Sequence, residues 1–477
     1  MATAPAYSDL PKPRRRATLG GGEEREVTVQ LEVVTPILGG SYQTRTIDDV
    51  DVIRVPSVRG HLRFWWRALY APQYMDGDAL HQREGVLWGR AATDSGGRSA
   101  VELRISVEHV GGTDDSNIRL YPGQGQQATP GAYALWPARA ERRNNIPPAP
   151  RRQPGTQFRL TAKVAGNEED EAEVRNALRA WILFGGYGGR TRRGLGSLKV
   201  IGDANGWLPT AATRAALTSL FGRDIFAAPT RTPCDVPWFG GAAIHVGRTV
   251  QDAQEAWTTA LGWLQEFRQG IDGGQGNRAR EPGTEPLPNR YSISNWPEAD
   301  KVRRLSEANQ RLPWAHKPVH NGTPAWPRAG FGLPIIGQFQ NRSRYEHRFW
   351  NELPATHPNY GIEPGPFELR WRAGNIEHDR LASPLIVKAL PLADGTFAPC
   401  ALWLDRSLPA GAQVGLARPK HGRPNEKEVD PKTVAPFDRL VAGGDTPKFA
   451  ALANKSSLRE AFLDWLLARY STTVVAP

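Results

Sequence analysis

The chain has 477 residues, of which 60 are Lys or Arg and 49 are Asp or Glu, so its formal charge is +11 and its pI is about 9.8. This balance favours a partner with negative charge, nucleic acid first among them. Two cysteines, Cys234 and Cys400, are too few for a structural zinc site or a disulfide framework. No apolar run approaches the roughly 20 residues of a membrane span. We therefore expect a cytoplasmic protein without metal or cofactor.

The N-terminal segment combines basic and turn-forming residues. Residues 1–22 contain Pro-Lys-Pro-Arg-Arg-Arg and then three glycines, which predicts a flexible basic arm. Residues 27–35 alternate apolar and polar side chains, the pattern of a half-buried strand. The loop after this strand carries two arginines that are candidates for RNA binding, Arg45 and Arg54, together with three aspartates, Asp48, Asp49 and Asp51.

The next element is a predicted helix over residues 57–70 with two distinct faces. At about 100° per residue, one stripe is apolar and predicts the buried side: Val58, Leu62, Trp65 and Leu69. The same projection groups three arginines with two aromatic residues: Arg59, Arg63, Arg67, Trp66 and Tyr70. Arginines bind phosphates and aromatic rings stack on bases, so this face is a candidate RNA surface. The alternative is a solvated helix face whose aromatic rings pack under a neighbouring loop.

Further strands are predicted at residues 101–108, 157–164 and 195–201, with a helix at 169–184. The order strand, helix, strand, strand, helix, strand is that of a ferredoxin-like fold. Residues 110–155 are rich in Gly, Gln, Pro and Arg, and they predict a mostly irregular insertion with one short strand at 133–136.

A loop rich in glycine and arginine, residues 185–194, separates the helix at 169–184 from the following strand; it is called the glycine-arginine loop below. It carries further candidate site residues: Gly186, Gly188, Gly189, Arg190, Arg192 and Arg193. Glycine allows backbone N–H groups to approach phosphate closely, and arginine supplies charge and forked donors. The loop therefore indicates contact with a polyanion.

The second half predicts a helix at 251–268, a charged glycine-rich loop at 270–288, and strands at 333–339, 367–371, 385–390 and 398–404. Asp394-Gly395 predicts a hairpin turn, and residues 457–470 predict a closing helix that docks on its own domain or on a neighbouring subunit. We place a domain boundary at residue 205, giving domains 23–205 and 206–477.

A second basic group follows the strand at 333–339. Arg342 and Arg344 are candidates for another RNA contact, although Glu346 and Glu352 nearby make an internal ion-pair network an alternative. His316 and His320 are four residues apart in proline-rich sequence and lack further ligands, so they do not predict a metal site.

Three stretches of the N-terminal half together resemble the RAMP superfamily of CRISPR-associated proteins: residues 35–40, 58–67 and 185–197. Within that superfamily, the Arg-Phe-Trp-Trp-Arg helix is similar to the first-named subunit family of the type III-B Cmr effector complex. Shorter matching phrases occur at residues 331–335 and 381–386. The resemblance is strong over roughly residues 27–200.

The resemblance implies two ferredoxin-like, RRM-related modules in a subunit near the end of a helical ribonucleoprotein filament. Such a subunit holds the 3′ part of the CRISPR RNA and its paired target RNA, and it contacts other subunits of the Cmr complex. The RNA-contacting residues implied are Arg59, Arg63, Trp66 and Arg67 on the helix and Arg190, Arg192 and Arg193 in the loop. The sequence departs from the pattern at His61, where a small residue is more usual.

An endoribonuclease is the alternative from a different functional class. Related backbone subunits place a metal-assisting aspartate in a comparable loop, so Asp48, Asp49 and Asp51 are nuclease candidates; such residues are also common turn formers. A metal-independent ribonuclease would need a general base, and His61 is the obvious candidate, although its helical position also suits a boundary residue. The sequence favours the non-catalytic RNA-binding subunit.

Overall fold

The computed structural model describes residues 24–90, 99–120, 126–141, 144–228, 236–269, 296–305, 320–337, 364, 366–409 and 411–477. Helices and antiparallel sheets occur throughout these ranges, which confirms the α+β class. Several predictions fall outside the described residues: the basic arm 1–22, the loop 270–288, Cys234, His316, Arg342 and Arg344. In the described part of the chain, none of the helices has the length and apolar character needed to cross a membrane.

The first half contains seven strands and four helices among its described residues. They are β1 (Glu24–Val33), β2 (Ile37–Leu38), α1 (Val55–Tyr70), α2 (Gly77–Trp88), β3 (Val101–His109), β4 (Thr113–Asp114), α3 (Ala132–Leu135), β5 (Arg151–Arg152), β6 (Gln157–Ala165), α4 (Glu168–Phe184) and β7 (Leu198–Val200). A short 3₁₀ turn, Thr191–Arg193, precedes β7.

The first sheet has the strand order β3-β6-β1-β7 and is antiparallel throughout. Leu31 pairs with Phe158, and such alternate residues bury their side chains beneath α1 and α4. The remaining residues of β1, β3 and β6, among them Thr28, Arg104 and Arg159, are polar and form the opposite face. This outer face therefore has none of the aromatic side chains on which bases stack.

The helix α4 begins where its sequence provides a capping box. The Asn167 side chain accepts a hydrogen bond from the Asp170 backbone N–H at 2.9 Å, and the Asp170 carboxylate accepts one from the Asn167 N–H at 3.1 Å. At the start of α1, the Arg54 backbone N–H donates to the Tyr187 hydroxyl at 2.9 Å. Tyr187 belongs to the glycine-rich loop, so that loop fixes the N-terminus of α1.

The second half contributes ten strands and four helices among its described residues. They are α5 (Arg214–Phe221), β8 (Trp238–Val246), α6 (Ala253–Gln269), α7 (Pro297–Leu305), β9 (Ile335–Gly337), β10 (Phe367–Ala373), β11 (Ile376–His378), β12 (Leu385–Pro391), β13 (Phe397–Asp405), β14 (Ala412–Lys420), β15 (Arg423–Val429), β16 (Ala435–Pro436), α8 (Leu458–Tyr470) and β17 (Thr473–Ala476).

The second sheet has the order β12-β13-β8-β17, and its strands β12, β13 and β8 are buried on both faces. Along β12, Leu385 and Val387 join a core cluster with α6 and α8, whereas Ile386 and Leu390 join the cluster that contains α1 and α4. The halves consequently stack in four layers: the first sheet, α1 with α4, the second sheet, and α6 with α8. Helices α1 and α4 are covered on both sides.

A third sheet is assembled from two insertions in the second half. Strands β9, β10 and β11 lie between α6 and β12 in the chain, whereas β14, β15 and β16 lie between β13 and α8; β10 pairs with β14. The sheet has its own core around Leu369, Trp371, Val414 and Leu416. The Trp326 indole N–H also donates to the Thr433 carbonyl at 2.8 Å, which joins the two insertions.

Most predicted elements agree with the structure to within a few residues, and the Asp394-Gly395 hairpin turn is confirmed. The predicted strand at 133–136 is wrong, because Ala132–Leu135 forms a short helix. The insertion at 110–155 is also more ordered than predicted: its strand β5 pairs with both β2 and β4 in a small sheet. Sequence reasoning missed α2, α5 and the hairpin formed by β14 and β15.

Residues before and after position 205 share two continuous cores. The first contains Leu62 and Phe184 together with Phe239 and Leu390, and the second contains Leu195 together with Trp257. The domain boundary at 205 stays a prediction, and apolar packing crosses this position.

A buried lysine links the two halves. The Lys388 ammonium lies on the α1/α4 side of β12 and donates to the carbonyls of Ile182 at 3.1 Å and Gly185 at 2.9 Å, at the C-terminal end of α4. Burial lowers the pKa of Lys388 to about 7. Its cross-strand neighbour Cys400 supplies no anion, because burial raises the pKa of that thiol to about 12.

The free energy of unfolding should depend on pH through Lys388. The unfolded chain binds this proton up to the ordinary lysine pKa of 10.5, whereas the folded protein releases it near pH 7, so rising pH stabilises the fold across that window. In chemical denaturation between pH 7 and 10, we expect the free energy of unfolding of wild type to rise relative to that of Lys388→Met, by up to about 1 kcal/mol per pH unit. Lys432→Met, at an exposed lysine, should show no such trend. A pH-independent difference for Lys388→Met would contradict this assignment.

Candidate nucleic-acid interface

The arginines of α1 are largely engaged inside the protein. Arg63 and Arg67 both donate to one carboxylate oxygen of Glu84 on α2, at 2.6 and 2.5 Å, and the Glu84 side chain is only 4% exposed. Arg59 donates to the Ser99 hydroxyl at 2.9 Å and to the Val101 carbonyl at 3.0 Å. These partners hold α2 and the start of β3 against α1, a structural role that the helical projection did not reveal.

Trp66 does not lie on an exposed basic face, so its predicted position is wrong. Its ring is fully buried, and its indole N–H donates to the Glu173 carboxylate on α4 at 2.7 Å. Tyr70, placed on the same face by the projection, is also buried. Both rings lie against α4, where Glu173 accepts from Trp66 and the Asn176 side-chain amide donates to the Tyr70 hydroxyl at 3.3 Å, so the neighbouring helix covers them. The predicted apolar stripe, by contrast, is confirmed: all four of its residues are buried.

The glycines of the loop are required by contacts within the protein. A Cβ on Gly186 would lie 2.7 Å from the Gly196 carbonyl oxygen, and Gly188 has a φ of +89° with its Cβ position 2.8 Å from Ile37. The backbone N–H of Gly189 donates to the Leu38 carbonyl at 2.7 Å. The loop thus packs tightly on β2, and this close fit explains the glycines without a ligand.

The three arginines of the loop lie at the junction of the two halves. Arg190 is exposed and adopts a left-handed conformation with a φ of 59°. Arg192 donates to the Ser383 carbonyl and lies 5.2 Å from the centre of the Phe64 ring. Arg193 donates to the Leu385 carbonyl at 3.4 Å. The loop therefore anchors α1 to the beginning of β12.

The electrostatic surroundings of these arginines are positive. Burial and, second, the charge of Arg406 lower the pKa of Arg192 to about 10. Burial and, second, the charge of Arg268 lower the pKa of Arg193 to about 9. Arg190 also lies within electrostatic range of Arg193 and Arg268. The sequence reasoning missed Arg268 and Arg406, which are distant in the chain. At neutral pH these groups stay charged, so the junction concentrates positive charge.

The loop that carries Asp48, Asp49 and Asp51, called the aspartate loop below, is held by its own hydrogen bonds and ion pairs. Asp48 accepts from the backbone N–H groups of Val50 at 3.0 Å and Asp51 at 2.8 Å, and these bonds lower its pKa. The Asp49 carboxylate accepts from Arg152 of β5 at 2.5 Å. Asp51 lies 3.5 Å from Arg54. Among the residues described, no group of His, Cys, Asp and Glu is arranged to hold a metal ion.

Arg45 also fixes this loop and does not extend freely into solvent. Its guanidinium donates to the carbonyls of Pro137 at 2.5 Å, Arg139 at 3.0 Å and Pro147 at 2.7 Å. It thereby attaches the aspartate loop to the insertion at 110–155. The sequence did not indicate this pairing, since the partners are backbone atoms about a hundred residues away.

His61 lies on α1 beside two aromatic rings of the first half. Its ring is nearly parallel to that of Trp181, with centres 6.2 Å apart, and it meets Tyr187 edge-on at 6.4 Å. Burial lowers its pKa, so the neutral form predominates at pH 7. Its predicted location at the edge of the buried face agrees with its partial exposure.

The comparison with protein families matches the part of the chain that contains the aspartate loop, α1 and the glycine-arginine loop. Residues 30–199 match the model described as the RAMP superfamily. This match confirms the sequence resemblance over the first half. The search of curated proteins found no match.

Solved structures similar to this chain include Cmr1 from Pyrococcus furiosus in its apo form, with 15% identity, a TM-score of 0.42, and coverage of 80% of this chain and 88% of that one. A chain of the type III-B Cmr-beta complex bound to cognate target RNA and AMPPnP in the presence of single-stranded DNA has 13% identity and a TM-score of 0.40, covering 81% of this chain and 97% of that one. A chain of a type IV-B CRISPR complex has 18% identity and a TM-score of 0.26, covering 38% of this chain and 92% of that one.

Replacing Glu84 tests whether the α1 arginines depend on internal pairing. Glu84→Gln removes the charge that balances Arg63 and Arg67 in a buried position, and we expect the free energy of unfolding to fall by about 2 kcal/mol. Glu26→Gln makes the same change on an exposed strand residue and should cost less than about 0.5 kcal/mol. Equal losses in denaturant titrations of the two variants would show that the Glu84 pairing is not structurally important.

Proposed function

We propose that this protein is a non-catalytic RNA-binding subunit of a type III-B CRISPR effector ribonucleoprotein. It holds the 3′ region of the CRISPR RNA and its paired target RNA near one end of the filament, in contact with other Cmr subunits in the cytoplasm. The RAMP superfamily match over residues 30–199 supports the general class. The Arg-Phe-Trp-Trp-Arg phrase on α1 supports the type III-B assignment within it.

We also infer that each half is a ferredoxin-like module. In the first half, β1, α1, β3, β6, α4 and β7 follow the order strand, helix, strand, strand, helix, strand, and their sheet order is β3-β6-β1-β7. In the second half, β8, α6, β12, β13, α8 and β17 repeat this order, with the equivalent sheet order β12-β13-β8-β17. The same connectivity in both halves supports a duplicated module with different insertions.

The arginine group at the junction is the observation that carries the proposal of RNA binding. Arg192, Arg193 and Arg268 have backbone carbonyls and the Tyr133 hydroxyl as their hydrogen-bond acceptors within the described residues, and no carboxylate pairs with them there. Partly buried cations without a counter-ion repel one another, and an anion relieves this repulsion. RNA phosphates provide the required charge along an extended path.

This location differs from the usual RNA surface of an RRM. The outer face of the first sheet is polar and lacks stacking aromatics, and strands β12, β13 and β8 of the second sheet are buried on both faces. The RNA path therefore follows the junction between the modules, past the glycine-arginine loop and the adjoining end of α1. Arg59, Arg63 and Arg67 already use donors inside the protein, and Glu84 balances part of the charge of the last two, so they would attract phosphates less strongly than the loop arginines.

Endoribonuclease activity is the weaker candidate. Asp48 and Asp49 already accept hydrogen bonds from the loop backbone and Arg152, so metal binding would require the loop to give up these interactions. His61 remains the candidate for a metal-independent mechanism, because a neutral imidazole is the form that a general base requires.

RNA binding should be sensitive to charge at the junction. Arg190→Asn removes a charge and keeps a residue type that tolerates the left-handed backbone, so its effect on folding should be small. We expect weaker binding of single-stranded RNA and a reduction of about 0.7 in the slope of log affinity against log salt for each lost phosphate contact. Arg104→Asn, which removes a charge from the outer face of the first sheet, is the matched control. Indistinguishable affinities and salt slopes for the two variants would reject the junction as the binding site.

The nuclease alternative predicts shortened RNA in a denaturing gel. We expect labelled CRISPR RNA and single-stranded target to keep their lengths in the presence of purified protein, both with and without Mg²⁺. Cleavage that disappears with Asp49→Asn in the presence of Mg²⁺, or with His61→Gln in its absence, would replace the binding-subunit proposal with the endoribonuclease.

A further inference from the structure

A small cavity lies where α1, the glycine-arginine loop and β12 meet. Its volume is about 260 Å³, near the lower limit for ligand pockets. His61, Phe64, Thr191 and Arg192 line it and are each partly exposed, so the cavity opens to solvent. It shares Arg192 with the arginine group, but the rest of its lining is aromatic or uncharged.

The inner wall of the cavity is aromatic. Phe64 and Trp65 meet edge to face, with ring centres 5.0 Å apart, and Phe184 lies beside Trp65 at 6.2 Å. Aromatic faces favour a flat ring as their partner through stacking. A phosphate group would lose its hydration there without gaining enough hydrogen bonds, so the wall selects against the charged part of a nucleotide.

Hydrogen-bonding groups lie at the rim of the same cavity. Arg192 uses one described hydrogen bond to the Ser383 carbonyl, and a guanidinium has five N–H groups in total. Its guanidinium carbon lies over the Phe64 ring, 5.2 Å from the ring centre, so the planar guanidinium shares one face of the ring and brings donors to the stacking surface. The Thr191 hydroxyl adds a group that can donate or accept. A flat heterocycle with polar edges matches this combination.

We propose that this cavity receives one unpaired nucleobase of the bound RNA, stacked against Phe64, while the neighbouring phosphates contact Arg190 and Arg193. The inference rests on the proposed RNA-binding function and specifies how the junction holds its ligand. In this arrangement Phe64 and Arg192 contact the base, so the cavity has a role different from the attraction of phosphates by the other arginines. Because stacking accepts any base, sequence selectivity at this position is low.

The test compares the affinity of the full-length protein for a short oligouridylate with its affinity for the same ribose-phosphate backbone without bases. This pair of ligands keeps the number of phosphates constant and does not depend on the binding register. For wild type, we expect removal of the bases to weaken binding at least about tenfold. Phe64→Leu keeps an apolar side chain but removes the ring, and it should reduce this ratio severalfold. Arg190→Asn should weaken the binding of both ligands and leave the ratio unchanged.

Photo-crosslinking with oligo-4-thiouridine supplies a readout that a purely structural role of Phe64 would not produce. Adducts should form on residues 61–65 of wild type and decrease in Phe64→Leu, whose thermal unfolding establishes that it is folded. RNA binding with an unchanged ratio in Phe64→Leu and no adducts on residues 61–65 would overturn the nucleobase pocket while leaving the RNA-binding function intact. Failure of wild type to bind either ligand would overturn both.

Discussion

The burial of α1 and α4 between two sheets is the constraint on which the rest of the structure depends. A helix on the surface of a single sheet exposes about half its circumference, whereas here Trp65 of α1 packs nearly parallel to Phe239 of the second sheet at 5.6 Å. The C-terminal carbonyls of α4 receive hydrogen bonds from Lys388 of that sheet. The α1/α4 layer therefore has no free face, and the apolar surfaces of both modules contribute to each other's stability there.

This burial also determines which charges face inward. Trp66 and the nearby carboxylates Glu84 and Glu173 are buried, and the arginines at the edges of the helices turn toward those carboxylates. The glycine-arginine loop differs, because its arginines meet backbone carbonyls and other arginines. Two basic groups that look alike in sequence therefore differ physically: one is balanced inside the fold, and the other has no paired carboxylate within the part of the chain that the structure describes.

Much of the fold could be predicted from sequence because its signals are local. The alternation in β1 and β6 and the Asp394-Gly395 turn each lie within a few residues and correspond to the observed elements. The third sheet could not be predicted in the same way, since β10 and β14 pair across more than forty residues and belong to different insertions. No local pattern specifies such a partner.

Prediction of the candidate site was limited in the same way, because its residues also have partners that are distant in the chain. A helical projection separates apolar from polar positions on one helix, so it correctly identified Val58 and Leu62 as buried. It contains no information about the neighbouring helix α4, which covers Trp66, and for that reason it placed this residue on the exposed face. The loop glycines indicated close approach correctly, but their partner is β2, whose contact with Gly188 only tertiary structure can reveal.

The third sheet constrains the evolution of this chain. Its strands come from two separate insertions that share one core, and Lys301 of the first contacts Asp445 of the second in a fully buried pair. Loss of either insertion would expose the hydrogen-bonding edge and the apolar side chains of the other, which favours aggregation. The two segments are therefore expected to be inherited together, and relatives that lack one should lack both.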